Sequence, residues 1–375
     1  MSLPKKIALV LGTRPEIIKL SPIIRLLEKK NRDYFVIHTG QHYSYEMDRL
    51  FFKELGLREP KYRLKIRSKG VTLQADHTGR MLIEVERILL AERPGFVLVQ
   101  GDTNSVLAGA LTVSKLLTTR DYTHIDMRIC HVEAGLRSYD RNMPEEINRF
   151  ITDHLSNFCF APTAQGKKLL IGEGVPKNRI FVTGNTIVDA VQENVRRAVR
   201  PDCLKKLGLD DRGFFLLTLH RQENVDHRER LRRILEGVAR VQKRFGLPVL
   251  FPIHPRTVKK LDFFRLRLPE KTYAVDPLGF LEFLYVESRA RLILSDSGGV
   301  QEEACILKVP CVTLRTTTER PETVQVGANV LGGHDPLKID HAAQKMMKRC
   351  ALWRNPFGDG RSAERILKIL TEAAS

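Results

Sequence analysis

His131-Val-Glu-Ala-Gly-Leu-Arg-Ser-Tyr-Asp-Arg-Asn-Met-Pro-Glu-Glu-Ile-Asn-Arg149 is the stretch on which the fold turns. Met127 to Val132 has the apolar character of a buried strand, and Gly135 breaks it. Pro144 then stands where a helix begins, since its missing N–H has no intrahelical partner in the first turn. A strand, a charged loop and a helix in that order form half of a parallel α/β unit. In an open sheet of that kind, ligands lie outside the carboxyl ends of the strands. Glu133 at the strand tip and Glu145 in the helix's first turn are therefore expected to face the same space. The same residues also have a purely structural reading, in which Glu145 and Glu146 favour the helix N-terminus and Glu145 pairs with Arg149 one turn on.

The punctuation recurs along the chain. Lys5 to Leu11 reads as a strand, Gly12-Thr-Arg-Pro-Glu16 as a turn, and Ile17 to Leu27 as an amphipathic helix. Arg14 stands at the positive end of that helix and Lys19 about one turn in, so the turn is a candidate anion site. The three spaced glycines of a dinucleotide fingerprint are absent, and no nicotinamide cofactor is expected. Tyr34 to Thr39 is a strand that closes on Gly40-Gln41-His42. Phe96 to Val99 stops at Gln100-Gly-Asp-Thr-Asn104, where Asp102 is a candidate both for capping the helix Ser105 to Leu116 and for chemistry. Phe158 to Pro162 and Ile180 to Thr183 are further strands. After the polar segment Asp211 to Gly213 the alternation restarts with the strand Phe214 to Leu219, as though a second βαβ sheet followed the first. That half carries His220-Arg-Gln-Glu-Asn224 and His254-Pro-Arg256 at strand ends. Arg291 to Leu294 delivers Ser295-Asp-Ser-Gly-Gly299, whose Ser297, Gly298 and Gly299 leave amides for an anion. Glu302 and Glu303 are expected in the first turn of the following helix, with a carboxylate there suited to ribose hydroxyls. Arg320, just before Pro321, is a candidate phosphate clamp.

At 375 residues the chain is long enough for two domains. Its 42% hydrophobic and 28% charged content is that of a globular protein, with no run of about 18 apolar residues to span a membrane. The N-terminus has no apolar signal core, which points to the cytoplasm. Six scattered cysteines lack the close pairs of a zinc site. The formal charge of +18 and pI near 9.8 raise nucleic acid as a partner. However, the excess is spread along the chain without a basic tail, and a diphosphate-binding cleft carries the same sign.

Seven motifs in one order give the chain a strong family resemblance. They are Gly12-Thr-Arg-Pro-Glu16, Gln100-Gly-Asp-Thr103, His131-Val-Glu-Ala-Gly-Leu-Arg137, Pro144-Glu-Glu-Ile-Asn-Arg149, His220-Arg-Gln-Glu-Asn224, Asp296-Ser-Gly-Gly-Val-Gln-Glu-Glu303 and Thr317-Thr-Glu-Arg-Pro-Glu322. Together they resemble the non-hydrolysing UDP-N-acetylglucosamine 2-epimerases nearly end to end. The resemblance implies an α/β protein of two Rossmann-like domains, glycosyltransferase-B-like, with the active site in the interdomain cleft. Residues 1–185 would form the first domain, with the final helix, 361–375, crossing back onto it, and 186–360 the UDP-binding second. It further implies reversible C2 epimerisation of a UDP-N-acetylhexosamine between gluco and manno forms, without cofactor or metal, in a homodimer that engages neither membrane nor nucleic acid.

Residue by residue, the resemblance makes Asp102, Glu133, Glu145 and His220 the catalytic candidates. Arg14, Lys19, Arg137, Arg149, His254, Ser297, Gly298, Gly299, Glu303 and Arg320 are the substrate-binding candidates. Gln41 and His42 match the pair beside which bacterial members bind an activating substrate, although Tyr43-Ser-Tyr-Glu46 and Lys65 to Gly70 depart from the bacterial pattern. Thr316 is another departure, at a position usually acidic or amide. The rival readings are a UDP-diacetamido-uronic acid 2-epimerase, a hydrolysing enzyme that releases UDP, a glycosyltransferase, and a nucleic-acid binder on the same fold.

Overall fold

The structure is a computed structural model that describes residues 5–40, 45–66, 74–118, 126–141 and 143–374. Its strands lie in two all-parallel sheets. In the first, β1 (Ile7–Leu11), β2 (Tyr34–His38), β3 (Tyr62–Arg63), β4 (Phe96–Gln100), β5 (Arg128–Val132), β6 (Phe158–Ala161) and β7 (Ile180–Val182) take the order β3-β2-β1-β4-β5-β6-β7. In the second, β8 (Phe215–Thr218), β9 (Val249–Pro252), β10 (Thr272–Val275), β11 (Leu292–Ser295), β12 (Cys311–Thr313) and β13 (Asn329–Leu331) take the order β10-β9-β8-β11-β12-β13. Strand order reverses between β1 and β4 and again between β8 and β11, the switch points where such sheets open a crevice. By its packing the chain divides into one unit of residues 1–190 with 357–375 and another of 191–356.

Central parallel strands are covered on both faces, so they are read as apolar runs rather than alternations. Every residue of β1 and of β4 is buried. In the first unit the helix Arg14–Lys29 returns from β1 with Ile17, Leu20, Ile23, Ile24 and Leu27 buried. Pro22 lies inside it and cannot donate to the carbonyl of Ile18. The Ser21 hydroxyl donates to that carbonyl at 2.8 Å instead, so the helix continues.

The helix Ser362–Ala374 also belongs to the first unit, where it packs on the helix Arg14–Lys29. Asp189 accepts the backbone amides of Ser362 and Ala363 at 3.2 and 2.9 Å, which satisfies donors at the helix start. At its other end the Arg128 guanidinium donates to the Ala373 carbonyl at 3.0 Å. In the second unit, Phe215, Leu217, Leu292, Leu294 and Val312 form a core with the helices Arg228–Phe245 and Pro336–Met347. Gly237 permits that contact, because a Cβ there would stand 2.7 Å from Ile339 Cδ1.

Candidate active site

In the first unit, Glu133 leaves the end of β5 with φ of 75°, a left-handed conformation that a residue with a Cβ adopts only when its surroundings impose it. The amides of Glu133 and Ala134 both donate to the Phe160 carbonyl at 3.1 Å, which fixes the turn. Gly135 follows with φ of 82°, and a Cβ there would lie 2.6 Å from the Gly166 carbonyl oxygen. The outcome is a carboxylate aimed at two donors. Lys19 Nζ donates to Glu133 Oε2 at 2.6 Å, and Gln100 Nε2 donates to the same oxygen. Both members of the ion pair are buried, so their attraction is screened less than at a surface.

Asp102 follows β4 by two residues, and its carboxylate accepts from Arg149 Nε at 2.9 Å. Arg149 also donates to Glu146 at 2.6 Å, and Glu146 accepts the amides of Ser138 and Tyr139 at 3.0 and 2.9 Å. Burial works to raise the Glu146 carboxyl pKa, but the two amides and Arg149 outweigh it and hold the group below its ordinary value. The backbone of the same turn is tied as well. Asn148 donates to the Asp102 carbonyl at 2.9 Å, and His131 Nε2 meets the Gly101 carbonyl at 2.8 Å.

The other ring nitrogen of His131 lies 2.6 Å from Asp153, which also pairs with Arg137 at 2.7 Å. Burial of Asp153 works against its charge, yet His131 and Arg137 keep its carboxyl below the usual range. Glu145 is half-buried in the first turn of the helix Pro144–Leu155, one residue before Glu146.

Arg137 and Arg149, two of the substrate-binding candidates, are buried and paired with carboxylates. Arg137 grips Glu173 through two nitrogens at 2.9 and 2.6 Å besides Asp153, and Arg149 grips Asp102 and Glu146. On the same helix, Arg149 pairs with Glu146 three residues before it. The helix after β4 runs Asn104–Thr118, and it is the Thr103 hydroxyl, 3.4 Å from the Val106 amide, that stands at its start. Arg14 is half-buried with its guanidinium 4.8 Å from the centre of the Phe51 ring. Gln41 and His42 lie outside the described residues.

In the second unit the candidates gather at the ends of the adjacent strands β8 and β11. Asp296 is fully buried and accepts the amides of His220 and Arg221 at 3.1 and 2.9 Å and the Asn224 side chain at 3.2 Å. His220 Nδ1 stands 3.3 Å from the same carboxylate. Burial would raise the Asp296 pKa, but His220 and these donors hold it low. Such a carboxylate fixes the imidazole and leaves Nε2 on the far side of the ring. The rings of His220 and His254 lie 5.9 Å apart between centroids, and His254 Nδ1 accepts the Arg256 amide at 3.1 Å, capping the helix Pro255–Phe264.

Ser297 precedes the helix Gly298–Ile306 and makes no side-chain cap bond. Arg320 approaches that helix start, with Cζ 3.7 Å from where a Gly298 Cβ would be, and its Nε donates to Glu302 at 2.7 Å. Since the helix begins at Gly298, Glu302 and Glu303 fall in its second turn, not the first as read from sequence. Glu302 is therefore a buried partner for Arg320, and Glu303 is buried beside it in the chain. Arg315 joins two loops, donating to Glu223 at 2.7 Å and to Glu319 at 2.9 and 3.0 Å.

Gln100, Glu16, His131, Asp153, Glu173 and Arg315 were not singled out from the sequence. Gln100 had a usable signal, as the last residue of a strand ahead of a glycine. The others are distinguished only by partners far away in the chain. Among the described residues, no group of three or more His, Cys, Asp or Glu side chains is placed to hold a metal ion, and no helix is long and apolar enough to cross a membrane.

A family profile described as UDP-N-acetylglucosamine 2-epimerase matches residues 25–371. A UDP-N-acetylglucosamine 2-epimerase of Methanocaldococcus jannaschii is 54% identical over 374 residues, covering 98% of this chain and 99% of its own. One of Methanococcus maripaludis is 50% identical over 373 residues, covering 97% and 98%. The crystal structure of the M. jannaschii enzyme in complex with UDP-GlcNAc and UDP superimposes with a TM-score of 0.89 at 53% identity, over 98% of this chain and 99% of that one. With two Rossmann-like units of the glycosyltransferase-B-like class and similarity over nearly its whole length, the chain belongs to the UDP-N-acetylglucosamine 2-epimerase family.

Proposed function

We propose that this chain interconverts UDP-N-acetylglucosamine and UDP-N-acetylmannosamine without net hydrolysis. The observation that carries the reading is Glu133, a buried carboxylate held in left-handed backbone at a strand tip by Lys19 and Gln100. The C2 proton has no neighbouring carbonyl to make it acidic, so direct removal by a carboxylate is too slow at neutral pH. Elimination circumvents this. The C1–O bond to UDP breaks, its electron pair leaves with the diphosphate, and a carboxylate takes the C2 proton to give the 2-acetamidoglucal. A proton then returns to C2 on the opposite face and UDP adds back at C1.

Asp102, Glu133 and Glu145 of the first unit are assigned the proton transfers. Arg14 and Lys19, with His220, His254, Ser297, Gly298, Gly299 and Arg320 of the second unit, are assigned the nucleotide diphosphate, and Glu303 the ribose. Of Arg137, Arg141 and Arg149, the cations that an uronate substrate would call on, Arg137 and Arg149 have acidic partners of their own, whereas Arg141 is exposed.

Glu133→Gln removes the charge at nearly constant shape. Turnover should fall by several orders of magnitude while UDP binding, measured by calorimetry, is retained. Near-normal turnover in this variant contradicts the assignment. Six unpaired cysteines fit the reducing cytoplasm as the site of action. A homodimer is also part of the proposal. The helices Gln74–Glu92, Asn104–Thr118 and Pro144–Leu155 pack in sequence, and Ile83, Leu117, Ile147 and Phe150 on them are exposed.

A further inference from the structure

Glu16 ends the Gly12–Glu16 turn, yet its carboxylate meets neither solvent nor a cation. The residue is 1% exposed, and its hydrogen bonds go to neutral donors. Oε2 accepts the Gly12 amide at 2.9 Å, and Oε1 accepts the Thr103 hydroxyl at 2.7 Å. A Glu in the third position of a helix ordinarily reaches back to the amide of its own cap residue. Here Thr13 is the cap residue, and besides interacting with it the carboxylate reaches on to Gly12 and sideways to a loop 87 residues away. Capping alone needs no such burial. Seclusion pushes the carboxyl pKa up to about 7, so the arrangement is held against a cost that an exposed capping residue would not incur. Thr103 is the neighbour of Asp102, and Gly12 begins the turn that carries Arg14 and leads to Lys19.

We propose that Glu16 is a positioning residue that locks the Gly12 turn to the Asp102 turn, so that Arg14, Lys19 and the Asp102 carboxylate keep a fixed spacing while UDP departs and returns. Glu16 touches no reacting atom. It acts by preventing the two strand-end turns of β1 and β4 from drifting apart, and a misplacement of about 1 Å costs on the order of a hundredfold in rate. The inference rests on the reaction proposed above, but its geometry can be tested without turnover.

The test compares Glu16→Ala, Thr103→Val, the double variant and Glu16→Gln in the full chain, each first checked for a cooperative thermal transition. Glu16→Ala should lower kcat by about 10- to 100-fold. Thr103→Val should lower it in the same direction, and the double variant should fall no more than about threefold below Glu16→Ala, since both remove one link. Glu16→Gln should restore kcat to within about threefold of wild type, because its carbonyl can accept the Gly12 amide and its NH2 can donate to Thr103 Oγ1. In the free protein, hydrogen exchange at the Gly101, Val106 and Leu107 amides should quicken in Glu16→Ala and stay at the wild-type rate in Glu16→Gln. Losses that multiply in the double variant, or unchanged exchange in a folded Glu16→Ala protein, overturn the proposal. Wild-type protein that does not turn over UDP-N-acetylglucosamine overturns the proposed reaction instead, and the exchange result alone then decides the role of Glu16.

Discussion

At the scale of single residues, the charges of the site lie in pairs, while Glu16, like Asp189, takes its hydrogen bonds from neutral donors. Glu133 has Lys19, Asp102 has Arg149, Asp153 has Arg137 and Arg320 has Glu302, whereas Glu16 has hydrogen bonds from neutral donors. Its carboxyl is raised from 4.5 to about 7 on folding. The folded chain therefore holds more protons than the unfolded one between those values. The stability so gained is complete below pH 4.5 and is lost as pH rises through 7, about 3 kcal/mol in all. Glu16→Gln does not titrate, so urea denaturation should show it gaining on wild type by about 2–3 kcal/mol between pH 5 and pH 8. A constant difference between the two proteins across that range would mean the carboxyl titrates normally.

The residue scale is also where the sequence was least legible. Glu133 could be placed at a strand tip from the apolar run before it. The pairing of Arg137 and Arg149 could not be foreseen, because it depends on Glu173 and Asp102, 36 and 47 residues away.

Elements were easier to read than partners. Central strands such as β1 and β4 are apolar runs ending in a glycine turn, and covering on both faces makes that pattern strong. Edge strands are weaker signals. β3 has two residues, both partly exposed, and β13 has three, with one buried. The helix Pro255–Phe264 also went unread, with only two buried residues to reveal its period. The helix after Ser297 starts two residues before the Val300 that the sequence suggests, because Gly298-Gly299 resembles a turn although both residues are helical here.

The short link between β5 and its loop depends on Gly135, whose φ of 82° and contact with the Gly166 carbonyl leave no space for a side chain. Gly135→Ala should cost about 1–3 kcal/mol through backbone conformation and a similar amount through overpacking. It should also lower kcat, since Glu133 is two residues away. A variant as stable and active as wild type would show that this turn can relax freely.

For the whole molecule, chain length and the restart of strand-helix alternation near residue 214 were enough to call for two domains. The first unit is discontinuous, because residues 357–375 return to it. Only the family resemblance suggested that return, since the apolar face of the helix Ser362–Ala374 fits any partner surface. The exposed Ile147 and Phe150, one turn apart on the helix Pro144–Leu155, give the proposed dimer its test. Light scattering should find wild type at twice the 42.9 kDa chain mass. Phe150→Glu should shift the population towards single chains. Wild type that stays at the single-chain mass at micromolar concentration rules the dimer out.

The elimination route demands that the hydrogen at C2 be exchanged with solvent when the sugar is inverted and that UDP be returned to C1. Incubation of the protein with UDP-N-acetylglucosamine in deuterated water, followed by proton NMR, tests this directly. The predicted result is UDP-N-acetylmannosamine with deuterium at C2 and no lasting accumulation of free UDP. Epimer that keeps its original C2 proton, or free UDP accumulating with N-acetylmannosamine, would contradict it.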